Sequence, residues 1–175
     1  METNKIKSFA KEARLLLIDG VLQRLKYWGF DEDGTNTQDL QTTEGGFIFR
    51  EKIYTDTSVP EKWKTLKKRL TNKQAVKDIV EQAAYTWFNR LIAIKILEEN
   101  GYIEPTIAFT EGMRTPQIIQ NAKKGLHQLK GQADKDLLLE YLSEDKEESA
   151  FALLITNLCN RNQLLHDIFG RIDDF

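Results

Sequence analysis

The sequence predicts a mainly α-helical domain organised around one long central helix, with a small β-hairpin near residues 46–54. Two observations carry most of that expectation. The run Ala83–Leu97 is the most apolar in the chain, interrupted only by Thr86, Asn89, Arg90 and Lys95. A helix apolar almost all round is buried, in a core or in a membrane. Arg90 and Lys95 stop the run short of the roughly 18 uninterrupted apolar residues of a membrane span. Long stretches at both ends of the chain repeat apolar residues at helical spacing, and only one short stretch reads as strand.

The elements follow in order. Ile6, Phe9, Ala10, Ala13, Leu16, Leu17, Val21 and Leu25 predict a first helix over Asn4–Trp28, capped by Thr3 or Asn4 and stopped by Gly29. Its polar side carries Lys5, Lys7, Lys11 and Arg14, as a solvated basic face or a contact surface. Asp31-Glu32-Asp33-Gly34 and the polar run after it are turn-rich. Gly45-Gly46 then precedes Phe47-Ile48-Phe49, with Ile53-Tyr54 close behind, a hairpin or an extended flap whose Phe47, Phe49, Ile53 and Tyr54 need burial. Pro60 opens a short helix with Trp63, Leu66 and Leu70 inward. Thr71-x-x-Gln74 reads as a capping box for the central helix, Lys73–Asn100, which Gly101 and Pro105 terminate. At about 1.5 Å per residue that helix runs about 40 Å.

Further on, Thr115-Pro116 opens a short helix through Lys124, with Ile118, Ile119 and Ala122 inward. Asp134–Leu142 forms another, carrying Leu137, Leu138, Tyr141 and Leu142. Ser143 then caps a last long helix, Glu144–Phe169, whose Leu153, Leu154, Leu158, Leu164, Leu165, Ile168 and Phe169 supply a core face. Glu144, Asp145, Glu147 and Glu148 suit its positive N-terminal end. No internal repeat or domain boundary is evident, so residues 1–175 read as a single domain.

Composition excludes several function classes. Hydrophobic residues make up 41% and charged residues 30%, as in ordinary globular proteins, and the net charge of −2 argues against a wholly basic nucleic-acid binder. A single cysteine, Cys159, rules out an intrachain disulfide and reads as a buried inert thiol. Two histidines, His127 and His166, are a poor supply for zinc, so no metal is expected. His166 and Asp167 are neighbours pointing about 100° apart on a helix, which is no catalytic dyad. No secretion-type leader is visible, and the chain reads as cytoplasmic.

One string is specific enough to carry a resemblance. Tyr85-Thr86-Trp87-Phe88-Asn89-Arg90-Leu91, followed by an apolar helix and Glu98-Glu99-Asn100-Gly101-Tyr102, resembles the N-terminal region of BREX-type (PglX-like) adenine-specific DNA methyltransferases. The opening Ile6-Lys7-Ser8-Phe9-Ala10-Lys11-Glu12-Ala13-Arg14 looks like that family's start. The ending from Asn157, with Ile172-Asp173-Asp174, looks like the segment before its catalytic domain. The resemblance implies a parent protein that methylates adenine at N6 in DNA, in a phage-defence system akin to restriction–modification. It also implies S-adenosylmethionine as that parent's cofactor, and DNA, the catalytic domain and other defence subunits as partners.

The catalytic motifs themselves are absent. Adenine methyltransferases hold the flipped base with an (Asn/Asp)-Pro-Pro-(Tyr/Phe) motif, yet Pro60, Pro105 and Pro116 stand apart from one another. No Gly-x-Gly turn for the cofactor occurs either. The ending at Phe175 reads as a boundary in mid-protein, so the chain is expected to be an accessory region with no catalytic residue and no cofactor of its own. The alternative is a structural or protein-interaction domain that binds no nucleic acid.

Candidate site residues are of two kinds. Lys62, Lys64, Lys67, Lys68, Arg69, Lys73 and Lys77 face Glu61 alone in Glu61–Lys77, the best candidate for DNA phosphates, or else a solubilising face. Lys64, Lys67 and Lys68 are expected to share one side of the helix. Tyr85, Thr86, Trp87, Phe88, Asn89 and Arg90 are expected to be structural, with Arg90 paired to Asp167, Asp173, Asp174 or carbonyls at a helix end; the functional alternative is an Arg90 that faces DNA.

Overall fold

The computed structural model describes residues 3–55 and 57–169. The fold is mainly helical, with seven helices and one three-stranded antiparallel sheet among the described residues, as the sequence predicts. It divides into two compact units, Met1–Phe88 and Asn89–Phe175. No described helix is long and apolar enough to cross a membrane.

In the first unit, α1 (Thr3–Tyr27) leads into a turn at Gly29. Strands β1 (Gln41–Thr43), β2 (Gly46–Phe49) and β3 (Lys52–Tyr54) form the sheet in that order, with Thr42 opposite Phe47 and Phe47 opposite Tyr54. Strand β1 was not predicted, because Gln41-Thr42-Thr43 is polar and exposed throughout and carries no alternation. The β2–β3 turn places Arg50 and Glu51 at positive φ. Arg50 is held there by donating from its guanidinium to the Lys26 carbonyl and by lying over the Tyr27 ring. Phe47 and Phe49 are buried as expected, against Trp28, but Ile53 is 79% exposed on the outer face.

The first core gathers Leu25, Phe30, Trp63, Leu70, Val76 and Val80, with Ile18, Val21 and Leu22 of α1 packed on it. Helix α1 therefore buries its second half. Ile6, Phe9 and Leu16, expected on the core face, are exposed.

Helix α3 (Lys73–Glu99) begins and ends by different devices from those predicted at its start and as predicted at its end. The cap is Asn72, whose side-chain oxygen accepts from the Ala75 amide at 3.0 Å; Gln74 instead reaches Asp78. At the far end Gly101 takes φ +71°, and the Tyr102 amide donates to the Leu97 carbonyl, closing a Schellman motif. The helix is less buried than its composition suggests, for Tyr85 and Ile96 are exposed.

In the second unit, α4 (Gln117–Lys123), α5 (Gln132–Ser143) and α6 (Glu147–Arg161) enclose Ile119, Ala122, Leu129, Leu138, Ala150, Leu153 and Leu154. Ser143 ends α5, donating to the Glu140 carbonyl, and does not cap the helix that follows. The predicted long helix Glu144–Phe169 is two, α6 and α7 (Gln163–Phe169). Asn162 breaks it: its backbone is extended at ψ 120°, and its side chain accepts from the Leu165 amide to cap α7. Leu164 and Ile168, expected inside, are consequently exposed.

Candidate nucleic-acid interface

The basic segment is fixed by its apolar side. Helix α2 (Val59–Arg69) starts on a buried Pro60 and turns Trp63 inward, where the indole N–H donates to the Trp28 carbonyl at 3.0 Å and the ring lies 5.3 Å from Phe30. Leu70 closes the helix, its amide donating to the Leu66 carbonyl, and is buried. With that face pinned, Lys62, Lys64, Lys67, Lys68 and Arg69 are exposed, as are Lys73 and Lys77 at the start of α3. Cations in the last turn of α2 also suit its negative C-terminal end.

Those seven cations are not equivalent. Lys64 pairs with Glu61 at 2.8 Å. Lys67 pairs with Asp39 at 2.5 Å and sits 5.1 Å from the Trp63 ring centre, so part of its charge is taken up at the rim of the core. Lys62, Lys68, Arg69, Lys73 and Lys77 have no ion-pair partner among the described residues. Their field is felt by nearby acids. The Glu61 carboxyl lies below its ordinary range through its bond to Lys64 and the charges of Lys64 and Lys68. Glu32 is lowered chiefly by its bond to Lys26, with a smaller effect of Lys73. A row of exposed, unneutralised cations on a rigid helix can hold phosphates, but lysine heads carry no geometry for reading bases.

The string Tyr85–Arg90 is disposed differently. Tyr85 is exposed, and the Thr86 hydroxyl donates to the Gln82 carbonyl within the helix. Arg90 is half-buried, with its Nε enclosed, and its charge reaches Cys159. Of its expected carboxylate partners, Asp167 is exposed and accepts from Gln163, while Asp173 and Asp174 lie outside the described residues. Cys159 is buried; desolvation pushes its thiol up, against Arg90, which pulls it down. A thiol raised by burial stays protonated in the fold. Its stabilising contribution is complete below the free-thiol pKa of about 8.5 and fades as pH climbs through the folded value. Ellman's reagent at pH 8 is expected to leave Cys159 unmodified in the native chain and to titrate it fully in urea. Rapid native labelling would show an open route to the thiol.

Sequence reasoning missed an open cleft of about 590 Å³ lined by Glu104, Pro105, Gln117, Asn121, Leu126, His127 and Gln128. Two of its amides are engaged, Gln117 donating to Asn121 and accepting from Thr110. Among the described residues no group of three or more His, Cys, Asp or Glu could hold a metal ion.

No family model matches the chain, and no solved structure does. Two curated relatives do. The chain is 27% identical over 192 residues to an adenine-specific methyltransferase PglX of Lacticaseibacillus casei, a match covering 100% of the chain and 16% of the relative. It is 28% identical over 181 residues to an adenine-specific methyltransferase BrxX of Escherichia coli, covering 99% of the chain and 15% of the relative. The chain spans about one-sixth of the length of the relatives it matches, and along that whole span its resemblance is to BREX-type adenine-specific methyltransferases.

Proposed function

We propose that these 175 residues form a non-catalytic helical accessory region of a DNA adenine (N6) methyltransferase in a phage-defence system, and that the α2–α3 basic segment steadies duplex DNA through its phosphates. Methyl transfer and the S-adenosylmethionine that supplies the methyl group belong to the parent protein's catalytic domain, with which this region and other defence subunits would share the cytoplasmic work. The match to one-sixth of two methyltransferases supports the accessory role. The observation that carries the DNA contact is the set of exposed cations Lys62, Lys68, Arg69, Lys73 and Lys77, which have no ion-pair partner among the described residues.

Such contact is electrostatic, independent of sequence and steeply weakened by salt. Each neutralised phosphate adds roughly 0.9 to the slope of log K against log salt concentration. Replacing Lys62, Lys68 and Arg69 together with glutamine is expected to lower that slope by about two to three while leaving the circular dichroism unchanged. Replacing Lys64 and Lys67 is expected to lower it less, because Glu61 and Asp39 already neutralise them. Fluorescence anisotropy of a labelled duplex across a salt series measures both. Absence of binding near ~20 mM salt, where phosphate contacts are strongest, overturns the proposal.

A further inference from the structure

The cleft beside α4 is preformed. One wall, Glu104 and Pro105, belongs to a strap that is tied down twice. The Glu98 carboxylate, its side chain 5% exposed, accepts from the Thr106 and Ile107 amides. The Thr106 and Ala108 carbonyls accept from the Ile118 and Gln117 amides, each at 2.8 Å. On the α4 side, Gly125 takes φ +74° and the Leu126 amide donates to the Asn121 carbonyl at 2.8 Å, so Leu126 and His127 turn sharply off the helix.

Inside the cleft one amide is aimed. The Thr110 hydroxyl donates to Gln117 Oε1 at 2.7 Å, and Gln117 Nε2 donates to Asn121 Oδ1 at 2.9 Å. That relay sets the sense of both amides. Asn121 keeps its Nδ2, which has no partner among the described residues, and a second lone pair on Oδ1. His127 has its Nδ1 enclosed without a partner, so a bond from its ring to a ligand is made at Nε2. Glu104 is the one residue of this lining with a formal charge. Lys123, Lys124 and Lys130 are close in sequence but do not line the cleft, and Lys123 is taken by Glu147.

This chemistry selects the ligand. A lining without a cation is a poor one for phosphate or carboxylate. A primary amide sets a donor and an acceptor side by side, the complement of the N6 amine and N7 of adenine. The O6 and N7 edge of guanine calls for arginine or lysine, which the lining lacks. Pro105 and Leu126, the latter 67% exposed, offer apolar surface to a ring, and about 590 Å³ is the size of a small-molecule site. We propose that this cleft binds the adenine ring of a nucleoside, with Asn121 taking its N6 and N7 edge. The inference rests on the second unit alone and stands whether or not the α2–α3 segment binds DNA.

The probe is adenosine, followed by saturation-transfer difference NMR on the 175-residue chain. A dissociation constant below about 1 mM is expected. N6,N6-dimethyladenosine has no amine donor and should bind at least about fivefold more weakly, the lower bound for losing a bidentate base contact. That comparison changes only the ligand and needs no variant. Asn121→Asp keeps the side chain's shape but loses the Nδ2 donor, and should weaken adenosine at least as much. Leu139→Asn is the control: Leu139 is 63% exposed on α5 and does not line the cleft, and affinity should change less than about twofold. Circular dichroism checks that both variants remain folded.

Two duplexes identify the source of the ring. Displacement of adenosine by a duplex with one adenine opposite an abasic site, but not by the fully paired duplex, assigns the cleft to an unpaired base in DNA. Displacement by neither assigns it to the free nucleoside. Equal binding of guanosine, cytidine or the dimethyl compound overturns the proposal, as does no adenosine signal at ~5 mM, well above the expected constant. Replacing Lys62, Lys68 and Arg69 with glutamine should leave adenosine binding unmoved, so this test and that of the phosphate contact fail separately.

Discussion

Truncating Trp63 to alanine is expected to cost the Met1–Phe88 unit about 3–5 kcal/mol, the range for removing a large buried aromatic side chain. Three losses coincide. The indole is 7% exposed, it lies against Phe30, and its N–H satisfies the Trp28 carbonyl. Removing it also frees Lys67, which is held between Asp39 and that ring. The midpoint of urea denaturation, followed by circular dichroism, measures the effect. Trp63→Phe separates the contributions. It keeps an aromatic face for Phe30 but leaves the carbonyl without its donor, for about 1–3 kcal/mol. An alanine variant within about 1 kcal/mol of wild type would mean that α2 is not anchored by this residue.

The second large effect is expected at Gly46. Its φ is +156°, and a Cβ there would stand 1.9 Å from the Tyr54 carbonyl oxygen and 2.9 Å from its carbon. Both are backbone atoms, so no side-chain rotation relieves the clash, and β2 would have to part from β3. Phe47 stacks on Tyr54 with ring centres 4.7 Å apart, and the Tyr54 hydroxyl bonds to that of Tyr27, so the disturbance reaches the end of α1. Gly46→Ala is expected to cost at least about 2–3 kcal/mol, as for other strongly strained backbone positions. Gly45→Ala is the matched comparison, because nothing lies within 4 Å of a Cβ there, and it should be close to neutral. Near-ultraviolet circular dichroism of the aromatic cluster reports on both. Equal stability of the two variants would refute the close approach.

What the sequence disclosed follows from how local each signal is. Helices α1, α2 and α3 announce themselves by spacing, proline and glycine, and their bounds fall within a residue or two of those expected. The α3 cap was misassigned because Thr71, Asn72 and Gln74 all have capping chemistry, and only tertiary placement decides between neighbours. The break at Asn162 was hidden for a related reason. Apolar residues continue in helical spacing across it, and asparagine tolerates a helix interior about as well as many residues do. In the basic segment the residue list was legible but its charge state was not. Asp39, which neutralises Lys67, is 28 residues away, and no helical wheel shows it. For α1 the wheel merged two stripes into one, since a chain read alone does not reveal which apolar face has a partner.

The two buried clusters have no residue in common: one is drawn from residues 18–80 and the other from residues 118–154. Local opening follows local packing, so each cluster can be followed on its own amides. Trp63 and Gly46 lie in the first unit, and hydrogen exchange at amides near Leu138 and Leu154 reads the second. Where calorimetric and van't Hoff enthalpies of melting disagree, a single fitted midpoint would be an average belonging to neither cluster.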